Sequence, residues 1–295
     1  MAAATSTFPR GELRVDEPMS RHTSWRVGGL ADRFYRPADI NDLSAFLRDL
    51  PLETPLFWFG LGSNLLVRDG GIRGAVIAGN SLPKDLEDLG QHRVRVACSV
   101  PCTRLAKQCI RWGYGPSEFF AGIPGSVGGA LAMNAGAHGG ETWDRVASVR
   151  TISRRGEIRE RSRDEFVVGY RSVTGPETEW FVEAELQFDA ATVPSMERQK
   201  ELVDRRKETQ PLGLPSCGSV FRNPPNDHAA RLIESAGLKG FRIGGAEVSP
   251  KHANFIINVE SASAADIEQL ITHVQDSVRD RHGVELMHEV RIVGE

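Results

Sequence analysis

Two glycine-rich segments in the first half of the chain restrict its fold more than any other feature. The first is GLGSNL at 60–65, and the second is GIPGSVGGA at 122–130, followed by Asn134. Glycine lets the backbone approach a ligand closely and lets successive N–H groups point inward, which suits a bound pyrophosphate. Serine and asparagine side chains in and beside these segments add neutral donors. Each segment is therefore a candidate anion-binding loop, although either one alone is also compatible with a tight turn.

Neither segment matches a common nucleotide-binding motif. Leu65 occupies the sixth position of the first segment, where a dinucleotide fingerprint requires glycine or alanine. The second segment lacks the Lys-Ser or Lys-Thr pair of a P-loop. The sequence therefore argues against Rossmann and P-loop folds.

Composition argues against several other classes of protein. The 295 residues carry a formal net charge of −3, with both signs spread along the chain, so we expect neither a nucleic-acid nor a membrane partner. The N-terminal segment lacks the apolar run of a secretory signal, and no later stretch is long enough to span a membrane, which predicts a cytoplasmic protein. The cysteines lack metal-binding spacing, so we expect no metal and four buried, reduced thiols: Cys98, Cys102, Cys109 and Cys217.

Hydrophobic periodicity predicts an α+β fold. Helices are indicated at 39–50, 101–113, 195–208, 227–237 and 263–282, and strands at 56–60, 75–79, 93–99, 146–153, 178–189, 252–260 and 288–293. The last helix is the clearest, because Ser263 and Asp266 form a capping box and Gly283 follows. Prolines and a glycine after the charged helix place a domain boundary near 190–210.

The two glycine-rich segments resemble the FAD-pyrophosphate segments of the MurB family. The longer matches read GLGSNLLVRDGGIRGAVI and FFAGIPGSVGGALAMNAGAHGGE, and HTSWRVGGLADRFYRP at 22–37 resembles the opening segment of the family. Neither His22 nor His138 lies in the motif for covalent flavin attachment, so the resemblance implies non-covalent FAD. It implies cofactor contacts for Gly60, Leu61, Gly62, Ser63, Asn64, Leu65, Gly122, Ile123, Pro124, Gly125, Ser126, Gly128, Gly129, Ala130 and Asn134.

The resemblance covers residues 20–293 with the motifs in family order, and it implies an architecture. MurB belongs to the wider flavoenzyme class of PCMH or vanillyl-alcohol-oxidase type, in which two α+β subdomains hold FAD. We therefore expect FAD-binding subdomains at 1–75 and 76–195 and an α+β substrate-binding domain at 205–295. The segment 172–218 has no room for the inserted tyrosine loop of one subgroup, so the chain resembles the shorter type II subgroup.

Three further segments carry the catalytic resemblance: GYRS at 169–172, CGSVFRNP at 217–224 and HEVR at 288–291. By analogy with the family, Arg171 and Glu289 stabilise the enolate formed when an enolpyruvyl ether accepts a hydride, and Ser219 donates a proton to the carbanion carbon. A guanidinium suits the substrate carboxylate because it is always charged and bonds in a bidentate manner. Glu289 would need a raised pKa to donate a hydrogen bond to the enolate.

Substrate contacts are implied for Tyr170, Arg206 and Asn223. Arg206 lies on a helix whose basic residues are equally compatible with a solvated face, and Asn223 is equally compatible with a role in closing its loop. Cys217 precedes Ser219 by two positions, so we expect an alkylating reagent to block the site sterically.

The resemblance implies an NADPH-dependent reductase that acts as a monomer. It would convert UDP-N-acetylglucosamine enolpyruvate to UDP-N-acetylmuramate for peptidoglycan synthesis, with ping-pong kinetics. The sequence does not distinguish NADPH from NADH. Two alternatives are an FAD oxidase or dehydrogenase acting on a sugar or hydroxy acid, and a non-catalytic nucleotide-sugar-binding protein that retains flavin. The joint presence of Arg171, Ser219 and Glu289 favours the reductase over both.

Overall fold

The computed structural model describes residues 10–295, and the chain divides into two compact units. Unit 1 comprises residues up to Val15 together with Arg33–Gly60 and Gly74–Leu202. Unit 2 comprises Asp16–Asp32, Leu61–Arg73 and Val203–Glu295. The first glycine-rich segment is therefore shared, with Gly60 in unit 1 and the rest in unit 2. The predicted subdomain bounds assumed continuous segments and stay a prediction.

Runs of strands separate the helices along the described chain, as expected for an α+β protein. The helices are α1 (Ile40–Asp49), α2 (Cys102–Trp112), α3 (Val127–Met133), α4 (Met196–Thr209), α5 (Ala229–Ser235) and α6 (Ala264–His282). The strands are β1 (Glu12–Pro18), β2 (Leu30–Arg36), β3 (Leu56–Phe59), β4 (Leu65–Val67), β5 (Ile72–Ala78), β6 (Leu86–Gly90), β7 (Arg93–Ala97), β8 (Gly136–Ala137), β9 (Gly140–Glu141), β10 (Val146–Ser153), β11 (Ile158–Ser162), β12 (Val167–Gly169), β13 (Ser172–Thr174), β14 (Glu179–Gln187), β15 (Arg242–Ile243), β16 (Ala246–Val248), β17 (Ile256–Asn258) and β18 (Arg291–Val293). Within residues 10–295, none of these helices is both long and apolar enough to cross a membrane.

Unit 1 contains one complete sheet and most residues of a second sheet, whose strands β1, β2 and β5 each include residues assigned to unit 2. One is a five-stranded antiparallel sheet with the order β11-β10-β14-β7-β6, and the other has the order β1-β2-β5-β3 with β3 and β5 parallel. The predicted alternation of β14 is confirmed, since Val182, Ala184 and Leu186 are buried. Helix α1 begins after the predicted cap Asp39, whose side chain accepts a hydrogen bond from the backbone N–H of Asp42 at 2.9 Å.

Unit 2 has a core formed by α5, α6 and short strands. The sheet β15-β16-β17 is antiparallel, and β4 pairs in parallel with β18. The predicted capping box of α6 is confirmed: Ser263 accepts from Asp266 N at 3.0 Å, and Asp266 accepts from Ser263 N at 2.9 Å. The apolar stripe of α6 is buried as predicted, and Gly283 ends the helix in the left-handed conformation.

Two predicted strands of unit 2 are shorter than expected. The run at 252–260 forms a strand only at Ile256–Asn258, and the run at 288–293 only at Arg291–Val293. The remaining backbone groups bond to a loop instead: the carbonyl of Asn254 accepts from Val220 N, and Glu289 N donates to the carbonyl of Val220. The alternation of apolar residues in the sequence is the same whether a segment pairs with a strand or bonds to a loop, so the predicted strands were too long.

Candidate active site

The second glycine-rich segment leads directly into α3. Ser126 precedes the helix, and its hydroxyl accepts a hydrogen bond from Gly129 N at 3.4 Å. Gly128 packs closely against Cys98: its N–H donates to the Cys98 carbonyl at 2.9 Å, and a Cβ at Gly128 would lie 3.0 Å from the Cβ of Cys98. The segment is therefore held in one conformation by the residues after β7.

The end of β3 lies beside this segment in unit 1. A Cβ added to Gly60 would lie 2.7 Å from the hydroxyl oxygen of Ser126, so a side chain at this position would displace that hydroxyl. The fold thus places Gly60, from the first glycine-rich segment, against the second. Peptide groups and a neutral hydroxyl at a glycine-lined turn suit the pyrophosphate of FAD, so these residues fit the predicted cofactor.

The remainder of the first segment lies in unit 2 and is fixed there by a second set of contacts. Gly62 has a φ of +65°, and a Cβ there would lie 2.0 Å from the carbonyl oxygen of His22. Asn64 contacts the C-terminal segment: its Nδ2 donates to the Glu289 carbonyl at 2.9 Å, and its own carbonyl accepts from Arg291 N at 3.1 Å. The loop predicted to contact FAD is therefore joined to the segment that carries Glu289.

Arg171 occupies the two-residue turn of the β12–β13 hairpin. Its φ is +52°, a left-handed conformation that is uncommon for a residue with a side chain and that recurs at functional sites. The guanidinium donates to the backbone carbonyls of Asn134 at 3.3 Å and Gly136 at 3.0 Å. It also lies 5.1 Å from the ring centre of Tyr170. The two carbonyls orient the side chain, and because it is only half-buried it remains accessible to a ligand.

Asn134 ends α3 in the left-handed conformation with a φ of +45° and is 1% exposed. Its Nδ2 donates to Glu141 at 2.7 Å and to the Gly169 carbonyl at 3.2 Å. Its Oδ1 accepts from Trp143 N at 3.1 Å. The side chain therefore joins the end of α3 to the hairpin that carries Arg171, and the FAD contact predicted for Asn134 stays a prediction.

Ser219 and Glu289 are brought together within unit 2. Both are half-buried, and the residue after Ser219 contacts the backbone of Glu289: the Val220 carbonyl accepts from Glu289 N at 2.8 Å. Phe221 and His288 form an isolated antiparallel bridge beside this contact. Two of the three predicted catalytic residues thus lie on directly bonded segments.

Cys217 is 2% exposed, so the expectation that an alkylating reagent would reach it is wrong. Burial raises the pKa of this thiol. All four cysteines are free and buried, as predicted. Within the described residues no cluster of possible metal ligands occurs.

The predicted substrate contacts differ in their surroundings. Tyr170 is 46% exposed at the tip of its hairpin. Arg206 is half-buried, which lowers the pKa of its guanidinium. Its Nε donates to Gln210 at 2.6 Å, and among residues 10–295 no carboxylate pairs with it. Asn223 has a structural role, because its Oδ1 accepts from the N–H of Ala229, the first residue of α5, at 3.2 Å.

Comparison with known families agrees with this arrangement. A family model described as an FAD binding domain matches residues 31–162. A second, described as the C-terminal domain of UDP-N-acetylenolpyruvoylglucosamine reductase, matches residues 210–293. The fold and the site therefore define a two-domain, FAD-binding oxidoreductase, which confirms the predicted fold class. The second match favours a reductase over the oxidase alternative.

Individual relatives identify the family. The chain is 58% identical to the UDP-N-acetylenolpyruvoylglucosamine reductase of Alkalilimnicola ehrlichii, over 100% of this chain and 99% of the relative. It is 55% identical to that of Methylococcus capsulatus, over 100% and 97%. The crystal structure of UDP-N-acetylenolpyruvylglucosamine reductase (MurB) from Thermus caldophilus superposes with a TM-score of 0.81 at 30% identity, covering 97% of this chain and 100% of that one. The protein belongs to the UDP-N-acetylenolpyruvoylglucosamine reductase (MurB) family.

Proposed function

We propose that this protein reduces the enolpyruvyl ether of UDP-N-acetylglucosamine enolpyruvate with electrons from NADPH, and that Arg171, Ser219 and Glu289 are its catalytic residues. The observation that carries the proposal is the hydrogen bond between Val220 and Glu289, which holds the predicted proton donor and the predicted acid on adjoining backbone. The product, UDP-N-acetylmuramate, serves peptidoglycan synthesis. We further propose that the enzyme is a cytoplasmic monomer.

When FAD is bound, it would supply hydride to the vinyl carbon of the substrate. Gly60, Ser126 and the neighbouring glycines would hold its pyrophosphate through peptide N–H groups and hydroxyls, as argued above. Negative charge then develops on the adjacent carbon and spreads into the substrate carboxylate as an enolate.

Arg171 stabilises this charge. Its guanidinium is already oriented by two backbone carbonyls, so little reorganisation is required as the charge develops. Lysine would not replace it, because an ammonium group does not present two parallel donors to a carboxylate.

Ser219 transfers its hydroxyl proton to the carbanion carbon, which completes the addition of two hydrogen atoms across the double bond. A hydroxyl is a weak acid, so this step depends on a strongly basic enolate and on a donor held within hydrogen-bond reach. Glu289, in its protonated form, would donate a hydrogen bond to the enolate.

Arg206 binds the diphosphate of the UDP-sugar in this proposal. Within the described part of the chain, this half-buried guanidinium bonds to the Gln210 amide and pairs with no carboxylate, so no negative charge there balances it. The phosphate oxygens of the substrate would supply that charge.

Product analysis tests the proposal. The purified holoenzyme is incubated with NADPH and UDP-N-acetylglucosamine enolpyruvate, and the nucleotide sugar is examined by mass spectrometry. We expect a product that has gained two hydrogen atoms, and its loss in Arg171→Ala and Ser219→Ala. Arg95→Ala is the matched control, because this arginine pairs with Glu87 and Glu183 on the sheet of unit 1. The assignment would be refuted if NADPH reduces the flavin of the native enzyme but the enolpyruvyl sugar is recovered unchanged.

A further inference from the structure

We propose that Asn254 is a positioning residue that sets the orientation of the Ser219 hydroxyl and of Glu289 for proton transfer. This inference rests on the proposed function of those two residues. Asn254 lies in the turn before β17. It is 4% exposed, so we place it behind the site and not in contact with the substrate.

The side-chain amide of Asn254 bonds to both backbone groups of Phe221. Its Oδ1 accepts from Phe221 N at 3.0 Å, and its Nδ2 donates to the Phe221 carbonyl at 2.8 Å. The main-chain carbonyl of Asn254 also accepts from Val220 N at 2.9 Å. Three hydrogen bonds from one buried residue therefore fix the two residues that follow Ser219.

On the N-terminal side of Ser219, the chain is held at Ser216 by an antiparallel bridge to Ile257. Between them, Gly218 has a φ of +68°, and a Cβ placed there would meet no atom within 4 Å. On the C-terminal side, the peptides that Asn254 holds begin directly after Ser219, so they bear on the direction of its hydroxyl.

Glu289 depends on the peptide group between Val220 and Phe221. Its N–H donates to the Val220 carbonyl of that peptide, while the Phe221 N–H of the same peptide donates to Asn254 Oδ1. A rotation of this peptide would therefore displace Glu289 and the chain that follows Ser219 together.

A primary amide is required for this arrangement. It offers a donor and an acceptor side by side, as a neighbouring strand would, whereas an ionised carboxylate only accepts. Asn254→Asp would leave the Phe221 carbonyl without its donor, and Asn254→Ala would leave both backbone groups of Phe221 unsatisfied.

The test separates the two half-reactions of the holoenzyme by rapid mixing under anaerobic conditions. Proton donation belongs to the second half-reaction, so Asn254→Ala should slow reoxidation of the flavin by UDP-N-acetylglucosamine enolpyruvate by about 100-fold, the order expected for a catalytic group misplaced by about 1 Å. Reduction by NADPH and the substrate concentration giving half-maximal rate should stay near the wild-type values. The effects of Ser219→Ala and Asn254→Ala should be less than additive, because the part of the Asn254 effect that acts through Ser219 is already lost in Ser219→Ala.

Asn258 supplies the matched control. It lies in β17, its Nδ2 donates to the Trp25 carbonyl at 3.0 Å, and its Oδ1 accepts from Ala262 N at 2.9 Å. Asn258→Ala thus removes two equivalent bonds without affecting the Ser219 loop, and it should leave both half-reactions unchanged.

Hydrogen exchange of the segment 217–223 gives a readout that does not depend on turnover. It should accelerate in Asn254→Ala and not in Asn258→Ala. If the alanine variant does not fold, Asn254→Ser, which keeps one hydrogen-bonding group, replaces it with a smaller expected defect.

Equal slowing of both half-reactions, no slowing of either, or strict additivity with Ser219→Ala would overturn the inference and leave Asn254 a purely structural residue. Failure of the proposed function gives a different result, since the wild-type flavin would then not be reoxidised by the enolpyruvyl sugar at all.

Discussion

The guanidinium of Arg171 donates a hydrogen bond to the backbone carbonyl of Asn134, with 3.3 Å between Nη1 and the oxygen. Asn134 is the residue that ends α3, the helix into which the second glycine-rich segment leads. One residue therefore connects the proposed cofactor loop to the proposed enolate-stabilising arginine within unit 1. The hydrogen bond fixes the position of the Arg171 guanidinium before substrate binds, and such preorganisation is the condition for efficient electrostatic stabilisation.

Arg171→Lys tests whether stabilising the enolate requires the two parallel N–H donors of the guanidinium or only its positive charge. We expect reoxidation by the enolpyruvyl sugar to slow by about 100- to 1,000-fold, as when a preorganised donor is removed from a developing anion. Reduction of the flavin by NADPH should be retained, because no enolate forms in that half-reaction. Rapid-mixing absorbance near 450 nm measures both. A lysine variant with native reoxidation would show that charge alone suffices.

Asn134→Asp tests the link between α3 and the hairpin. The new carboxylate would face Glu141, which now accepts from the Asn134 amide at 2.7 Å. We expect the free energy of unfolding at pH 7 to fall by about 1–3 kcal/mol, and the deficit to shrink on acidification as one carboxyl takes up a proton. Thermal unfolding across pH 5–8 measures this. Asn134→Gly, which tolerates the positive φ, separates loss of the amide from added charge. A deficit independent of pH would contradict the argument.

The sequence predicted best what depends on neighbouring residues. The cap of α1 at Asp39 and the capping box of α6 at Ser263 were predicted because both are local patterns of three or four residues. The parallel pairing of β4 with β18 was not predicted, because these two strands lie more than two hundred residues apart in the sequence. Sequence spacing cannot show such contacts.

The polar residues that organise the site were missed for the same reason. Asn254 lies in the run at 252–260, which the sequence indicated only as a strand, and its partner Phe221 is 33 positions away. The FAD contact of Asn134 stays a prediction, but the sequence did not indicate that the buried amide of this residue bonds to Glu141, Gly169 and Trp143. A buried asparagine has the same sequence signature in either role.

Glu179 gives a prediction for stability against pH. Its carboxylate, with 4% of the side chain exposed, bonds to Arg161, Arg159 and Thr151, and the hydrogen bond from Arg161 is the main reason that its pKa lies below the usual value of 4.5. A lowered pKa in the folded state stabilises the fold above pH 4.5 and loses this contribution as the pH falls through the folded pKa.

Glu179→Gln should therefore lower the free energy of unfolding by about 1.5–3 kcal/mol at pH 7, the range for hydrogen bonds to charged groups. The difference from wild type should diminish below pH 4.5. Denaturant unfolding from pH 3.5 to 7 measures it, and Glu87→Gln, whose carboxylate pairs with Arg95 at an exposed position, is the control. A difference that is constant with pH would contradict the role given to the Glu179 charge.

The cysteines should be unreactive in the native protein. All four are buried, and burial raises their pKa values, that of Cys102 to about 12. Thiolate is the reactive form, so a thiol-specific reagent at pH 8 should label the folded enzyme slowly and all four thiols after unfolding. Fast labelling of Cys217 in the native enzyme would show that the Ser219 loop opens.

The central claim, that this protein passes electrons from NADPH to an enolpyruvyl sugar, is tested most directly by an anaerobic absorbance spectrum near 450 nm. NADPH is added to the purified protein first, and UDP-N-acetylglucosamine enolpyruvate second. We predict that the band bleaches with NADPH and recovers only when the enolpyruvyl sugar is added. A band that bleaches but recovers only with oxygen or another acceptor would contradict the claim and favour an oxidase or dehydrogenase.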